Sequence, residues 1–156
     1  MKKYLTKIYW FIKNGGIKKG INCDSVWYGS DYGGFFVCPS LLNEKSIVYS
    51  FGIGEDISFD QMINDKHNCD VYAFDPTPKS INWIKNYLLF KKFHFYEFGL
   101  SDKSGFLDFY LPKNPNYVSG SSISSSHLNI TDKISVKMKS LKEIITDRLK
   151  KEGFPL

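Results

Sequence analysis

The residues that could do chemistry are concentrated in one short stretch, Gly52-Ile-Gly-Glu-Asp56, which follows the apolar run Ile47-Val-Tyr-Ser-Phe51. A strand, a glycine turn and the start of a helix give this pattern in α/β proteins, where ligands bind at the carboxyl end of the strand. Gly52 and Gly54 allow a ligand to approach the backbone closely, and the helix that follows offers free N–H groups to a carboxylate or phosphate. The stretch therefore predicts a nucleotide-type pocket, with a tight turn that holds no ligand as the alternative.

A second acidic position narrows the class of ligand. Asp75 ends the apolar run Val71-Tyr-Ala-Phe74 about twenty residues on, where an acidic side chain can accept both hydroxyls of a ribose. The third glycine of a dinucleotide motif is absent, and Glu55 and Asp56 place negative charge at the helix N-terminus. Such charge suits a ligand ammonium group and repels a pyrophosphate, which favours S-adenosylmethionine over NAD.

Three successive motifs resemble those of FkbM-type S-adenosylmethionine-dependent methyltransferases, over roughly residues 27–149. They are Val48–Asp60, Val71–Ser80, and Gly99–Asp102 with Phe109–Pro112. The resemblance implies a class I methyltransferase that methylates oxygen on a sugar, a glycan or another small natural product. It also implies a placement for six residues along the cofactor: Gly52, Gly54 and Glu55 near the methionine end, Asp75 on the ribose, and Leu100 and Ser101 near the adenine.

The chain departs from that family in two ways. Ser50 stands where an acidic residue usually ends strand one, so the ligand's amino group would rely on Glu55, Asp56 or backbone carbonyls. The chain also ends at Leu156, before the family's fourth strand. We therefore expect a truncated product or half of a split enzyme, with a partner chain supplying the missing strands. The alternative function is a non-catalytic methyltransferase remnant or interaction module.

The predicted fold class is α/β, with a partial Rossmann-like class I methyltransferase sheet and an added antiparallel hairpin, over residues 23–156. Apolar runs predict buried parallel strands at 47–51, 71–74 and 93–98. Helices are predicted after each of the first two strands and near the C-terminus. Their start signals are Ser58 with Gln61, Thr77-Pro78 with Ile81, Ile84 and Leu88 on one face, and Ser140 with Glu143.

Two segments without helix signals flank these elements. Alternating residues around 107–111 and 136–139 predict the hairpin, and the serine-rich connector 113–132 between them is either a mobile loop or a lid over the pocket. Residues 23–39 are aromatic and rich in glycine, so short strands with turns at Gly29 and Gly33-Gly34 are expected. Their aromatic side chains either cap the core or contact the substrate.

The net charge of +5 comes from residues 1–22, which contain six lysines and no acid, while the rest of the chain sums to −1. Leu5, Ile8 and Ile12 recur at helical spacing there, which predicts a basic amphipathic helix followed by a glycine hinge. This leader could dock on the domain or touch a membrane surface. Nucleic-acid binding rests only on these lysines, so it is the weaker alternative.

The remaining reactive residues do not add a site. Cys23, Cys38 and Cys69 are odd in number and far apart, which predicts reduced thiols in the cytoplasm with neither a disulfide nor a metal site. None of the three histidines is assigned as a catalytic base. Of these, His67 and His94 suit structural roles, whereas His127 lies in the serine-rich connector that could close over the pocket.

Overall fold

A computed structural model describes residues 23–114, 116–123 and 128–153. The leader 1–22 and His127 lie outside the described residues, so the expectations for them stay predictions. Over the described residues the chain has a mixed α/β fold of three small sheets and three α-helices. The strands are β1 (Val26–Tyr28), β2 (Phe35–Val37), β3 (Ile47–Phe51), β4 (Asp70–Phe74), β5 (Phe93–Tyr96), β6 (Gly99–Ser101), β7 (Gly105–Pro112) and β8 (Leu128–Ser140). The helices are α1 (Ser58–His67), α2 (Pro78–Lys85) and α3 (Leu141–Lys151), with a 3-10 helix at Pro39–Leu41.

The central sheet is parallel, in the order β3-β4-β5. The predicted second and third apolar runs are therefore strands of one sheet, as their composition indicated. Val71 and Ala73 on β4 are fully buried on one face, against Ile63 of α1 and Ile84 of α2. Parallel sheets are usually covered on both faces, and the crossover helices α1 and α2 cover the face that carries Val71 and Ala73.

The opposite face of the central sheet is aromatic. Strand register places Tyr49 beside Tyr72, and Phe51 beside Phe74, with Phe51 and Phe74 ring centroids 4.8 Å apart. Helix α3 covers part of this face and encloses a cavity of about 360 Å³ against it, with Arg148 among the lining residues. Within the described residues β3 pairs only with β4, so its outer edge has no strand partner there.

The predicted antiparallel hairpin is confirmed as β7 and β8, and β8 is the central strand of a three-stranded sheet. Strand β7 pairs with β8 in antiparallel register, while the short β6 pairs with the end of β8 in parallel. Helix α3 follows β8 directly, and the Ser140 side chain accepts a hydrogen bond from the Glu143 backbone at 3.2 Å. The predicted cap at Ser140 is therefore present.

The predicted cap at Ser58 is wrong. Helix α1 does begin at Ser58, but Ile57 is its N-cap and no side chain caps it. The Ser58 hydroxyl instead accepts a hydrogen bond from the Ser30 backbone at 2.7 Å, and Asp56 accepts one from the Ser58 backbone at 2.8 Å. A contact with a distant loop thus replaces the local capping box.

Two predicted boundaries extend too far. Helix α2 ends at Lys85, and Leu88, which was expected on its packed face, is 94 % exposed. Strand β5 ends at Tyr96, after which the chain turns into β6. The expected short strands at 23–39 are confirmed as the antiparallel pair β1 and β2.

The prediction of three reduced thiols is wrong. Cys23 and Cys38, 15 residues apart, form a disulfide that closes the β1–β2 hairpin, with their Cα atoms 6.0 Å apart. Pairing across a hairpin depends on strand register, which cysteine spacing does not reveal. Cys69 is a free, buried thiol. Within the described residues no helix is long and apolar enough to cross a membrane.

The disulfide should stabilise the chain by restricting its unfolded state. For a separation of 15 residues, we expect reduction to lower the free energy of unfolding by about 3 kcal/mol, measured by denaturant titration with and without dithiothreitol. Dithiothreitol should have no effect on the Cys23→Ser variant. Finding three free thiols per unfolded chain in protein purified under oxidising conditions would contradict the disulfide.

The core between α1 and the sheet should be sensitive to lost volume. Ile63 is 1 % exposed, so Ile63→Ala should lower the free energy of unfolding by about 2–4 kcal/mol, because it leaves a cavity. The matched change Leu88→Ala, on a side chain in solvent, should alter it by less than about 0.5 kcal/mol. Equal effects of the two substitutions would contradict this packing.

Candidate functional site

A cavity of about 210 Å³ lies at the carboxyl end of β3, where the sequence predicts a ligand pocket. Four parts of the chain enclose it: the end of β3 with its glycine turn, the start of α1, the β1–β2 loop, and the connector between β7 and β8. Its lining residues are Tyr32, Gly33, Phe35, Ser50, Phe51, Gly52, Ile53, Gly54, Asp56, Phe59, Asp60, Val118 and Ser119.

The glycine turn has the backbone shape that its sequence requires. Gly52 and Gly54 have φ angles of +76° and +58°, in the left-handed region that residues with a Cβ rarely adopt. A Cβ added to Gly52 would meet no protein atom within 4 Å, so this part of the backbone is open to a ligand. A Cβ on Gly54 would lie 3.2 Å from Val118, which shows that the connector packs against the turn.

The connector covers one side of the site. A neighbouring cavity of about 310 Å³ is lined by Glu55 and Asp56 on one side and by Asn116, Tyr117 and Val118 on the other. The Lys79 ammonium donates a hydrogen bond to the Asn116 carbonyl at 3.0 Å, which ties the connector to α2. The described part of the connector thus lies over the turn, as the lid hypothesis requires, while its opening and closing stays a prediction.

Asp75 lies behind the turn and is engaged by the protein itself. Its carboxylate accepts hydrogen bonds from the Gly54 backbone at 3.0 Å, the Thr77 backbone at 2.9 Å and the Thr77 hydroxyl at 2.6 Å. The residue is 4 % exposed. These contacts give Asp75 a structural role, joining the β3 turn to the start of α2, and its contact with a ribose stays a prediction.

The two acids of the turn also have protein partners. Glu55 forms an ion pair with Lys79 at 3.2 Å, near the surface. The Ser30 hydroxyl donates to Asp56 at 2.5 Å, which joins the β1–β2 loop to the turn. Burial opposes the ionisation of Asp56, but hydrogen bonds from Ser30 and Ser58 outweigh it and lower the pKa of Asp56. Asp56 is therefore a charged anchor for the loop.

Asp60 is the acid that the sequence predictions missed. It lies in the first turn of α1, lines the cavity, is 2 % exposed, and its Oδ1 atom has no hydrogen-bond partner. Burial raises the pKa of Asp60 to about 6, although a hydrogen bond with the Ser50 hydroxyl opposes the rise. One signal in the sequence could have revealed it: Asp60 lies three residues before Ile63, on the apolar face of the helix.

Leu100 and Ser101 lie outside the residues that line these two cavities. Both are in β6, where Leu100 is 40 % exposed and the Ser101 hydroxyl donates to Asp102 at 3.1 Å. Strand β6 begins beside the turn after β4, because a Cβ on Gly99 would lie 3.1 Å from Pro76. The structure therefore brings Gly52, Gly54 and Asp56 together, while the adenine contacts of Leu100 and Ser101 stay predictions.

The aromatic residues of 23–39 lie in two environments, and their contact with a substrate stays a prediction. Tyr28 is buried in the core, where its hydroxyl bonds His67 Nε2 at 3.0 Å, whereas Tyr32 and Phe35 are exposed at the cavity. His94 Nε2 bonds Asp70 at 2.8 Å on the far part of the sheet. Neither described histidine reaches the cavity lining, and no group of three potential metal-binding side chains occurs among the described residues.

Comparisons with known proteins found no match for this chain among protein-family models, curated proteins or solved structures. The functional interpretation therefore depends on the geometry of the site and on its chemistry.

Loss of the Asp75 carboxylate should weaken the fold. Asp75→Ala leaves the Gly54 and Thr77 backbone N–H groups without their acceptor, so the free energy of unfolding should fall by about 3 kcal/mol. Asp31→Ala, at an exposed acid in the β1–β2 loop, should change it by less than about 0.5 kcal/mol. Denaturant titration measures both, and an unchanged stability of Asp75→Ala would contradict the structural role.

Proposed function

We propose that the chain is a methyltransferase that binds S-adenosylmethionine at the carboxyl end of β3. The observation that carries this proposal is the cavity beside the open backbone of Gly52, whose lining includes Asp56 of the turn and the buried Asp60. Carboxylates in a pocket beside open backbone suit a ligand that carries an ammonium group. A pyrophosphate would be repelled by the carboxylates of Asp56 and Asp60.

The finer fold assignment belongs to the same proposal. Strands β3, β4 and β5 are parallel, and α1 and α2 connect them on a single face. This arrangement fits one mononucleotide-binding half of a Rossmann-like sheet, in which the ligand lies at the carboxyl end of the first strand. Here that strand is β3, and the cavity lies at its carboxyl end.

The reaction would be an in-line displacement at the methyl carbon of the sulfonium. A bond forms between that carbon and a substrate hydroxyl oxygen, the carbon–sulfur bond breaks, S-adenosylhomocysteine leaves, and the hydroxyl proton passes to a base or to water. Aligning the oxygen with the methyl group supplies most of such catalysis. Tyr32 and Phe35, exposed at the cavity, would contact the acceptor, which we propose is a sugar, a glycan or another small natural product.

A second candidate is a non-catalytic module that binds a partner chain. Over the part of the chain that the structure describes, the outer edge of β3 has no strand partner, which favours this candidate because open edges accept added strands. Phe51 and the half-exposed Ile47 lie on that strand. A partner that supplies further strands would also complete a methyltransferase sheet. An assay for methyl transfer distinguishes the methyltransferase from the non-catalytic module.

Substitution of Gly52 tests cofactor binding directly. A methyl group at Gly52 would enter the cavity, so Gly52→Ala should weaken S-adenosylmethionine binding by at least about tenfold in calorimetry. Gly153→Ala is the matched control, because Gly153 has φ +80°, similar open space and a position at the end of α3. Both changes should cost about 1 kcal/mol of stability through backbone strain, but only the first should affect binding.

Absence of binding by the unmodified chain at millimolar S-adenosylmethionine would overturn the proposed cofactor. Transfer of a radiolabelled methyl group to glycan precursors would support the enzyme, and binding without transfer would favour the non-catalytic module.

A further inference from the structure

We propose that the buried carboxylate of Asp60, in the wall of the cavity beside β3, binds the ammonium group of the cofactor's amino-acid part. This inference rests on the proposed function and adds a specific residue and ligand group to it. Asp60 lies in the first turn of α1, where the Ser50 hydroxyl of β3 bonds its carboxylate.

The first argument is an unmet hydrogen bond. Asp60 is 2 % exposed and lines the cavity, yet its Oδ1 atom has no partner. A buried carboxylate oxygen without a donor is unfavourable, and most buried polar groups in folded proteins are satisfied. A ligand ammonium in the cavity would supply both the missing donor and a compensating charge.

The second argument is that the other acids of the turn are engaged. Asp75 accepts three hydrogen bonds from Gly54 and Thr77, and Glu55 pairs with Lys79. Asp56 is held by Ser30 and by the Ser58 backbone. Asp60 is therefore the buried acid of this site with a carboxylate oxygen that has no protein donor.

The cavity itself favours a compact organic cation. Phe35, Phe51 and Phe59 contribute aromatic surface to its lining, and aromatic rings attract cations. Its volume of about 210 Å³ is below the roughly 300 Å³ at which drug-sized pockets begin, so it suits an amino-acid arm better than a whole nucleoside.

Binding should then depend on pH through Asp60. The pKa of Asp60 is about 6, because burial outweighs the Ser50 hydrogen bond and the charge of Asp56 adds to the rise. The pKa of Asp56 is lowered, so it stays ionised, and Tyr32 is the other ionisable group lining the cavity. An ammonium group binds the ionised Asp60, so affinity should rise as the pH passes upward through this pKa.

The test compares two nucleosides by calorimetry on the full chain. S-adenosylhomocysteine carries the amino-acid arm, and 5′-methylthioadenosine lacks it. Between about pH 5 and about pH 7 the affinity for S-adenosylhomocysteine should rise about tenfold, as expected when a group of pKa about 6 must ionise, while that for methylthioadenosine should not change.

Variants assign this effect to one residue. Asp60→Asn keeps the shape of the side chain and should weaken S-adenosylhomocysteine binding at about pH 7 by at least about tenfold, remove its pH dependence, and spare methylthioadenosine. Asp65→Asn, at an exposed acid of the same helix, should behave like the unmodified chain.

Three results would overturn the inference. If Asp60→Asn weakens both nucleosides equally, its role is structural. If the unmodified chain binds the two nucleosides with the same pH dependence, the ammonium group does not contact a carboxylate that titrates in this range. This result does not depend on whether any variant folds. Failure of the unmodified chain to bind either nucleoside would overturn the proposed cofactor as well, which distinguishes the two failures.

Discussion

The position of the site depends on the hydrogen bonds that join the carboxyl ends of β3, β4 and β5. The Asp75 carboxylate accepts from Gly54 and from Thr77, the Gly52 N–H donates to the Phe74 carbonyl at 2.8 Å, and the Asp75 N–H donates to the Tyr96 carbonyl at 3.2 Å. Hydrogen bonds to a charged group at a buried position are stronger than neutral ones in solvent. They hold the glycine turn in its left-handed conformation, and the cavity wall is built on that turn.

The four acids of the site have different roles because their burial and hydrogen-bond partners differ. Glu55 lies near the surface in an ion pair, Asp56 joins a loop to the turn, and Asp75 supports the backbone. Asp60 is the exception, because burial disfavours its charge and leaves it one oxygen without a donor. A buried carboxylate oxygen without a donor is unfavourable, and a nearby cation would compensate it.

Local signals predicted much of the fold. The apolar runs identified β3 and β4, Thr77-Pro78 identified the start of α2, and Ser140 identified the start of α3. Each of these depends on residues that are neighbours in the chain. The predicted cap at Ser58 failed because its hydroxyl bonds Ser30, 28 residues away, and the disulfide was missed because it depends on the register of β1 and β2.

The sequence by itself determined that a glycine turn follows a buried strand, since Gly52 and Gly54 satisfy a backbone requirement that few other residues meet. It also determined that two acids, Glu55 and Asp56, follow this turn directly. Only the tertiary structure decided which acid keeps an oxygen without a protein donor, because hydrogen-bond partners and burial depend on residues that are distant in the chain, such as Ser30 for Asp56 and Gly54 for Asp75. The sequence places these acids close to the turn, whereas burial and hydrogen-bond partners in the folded chain set the pKa of each carboxyl group.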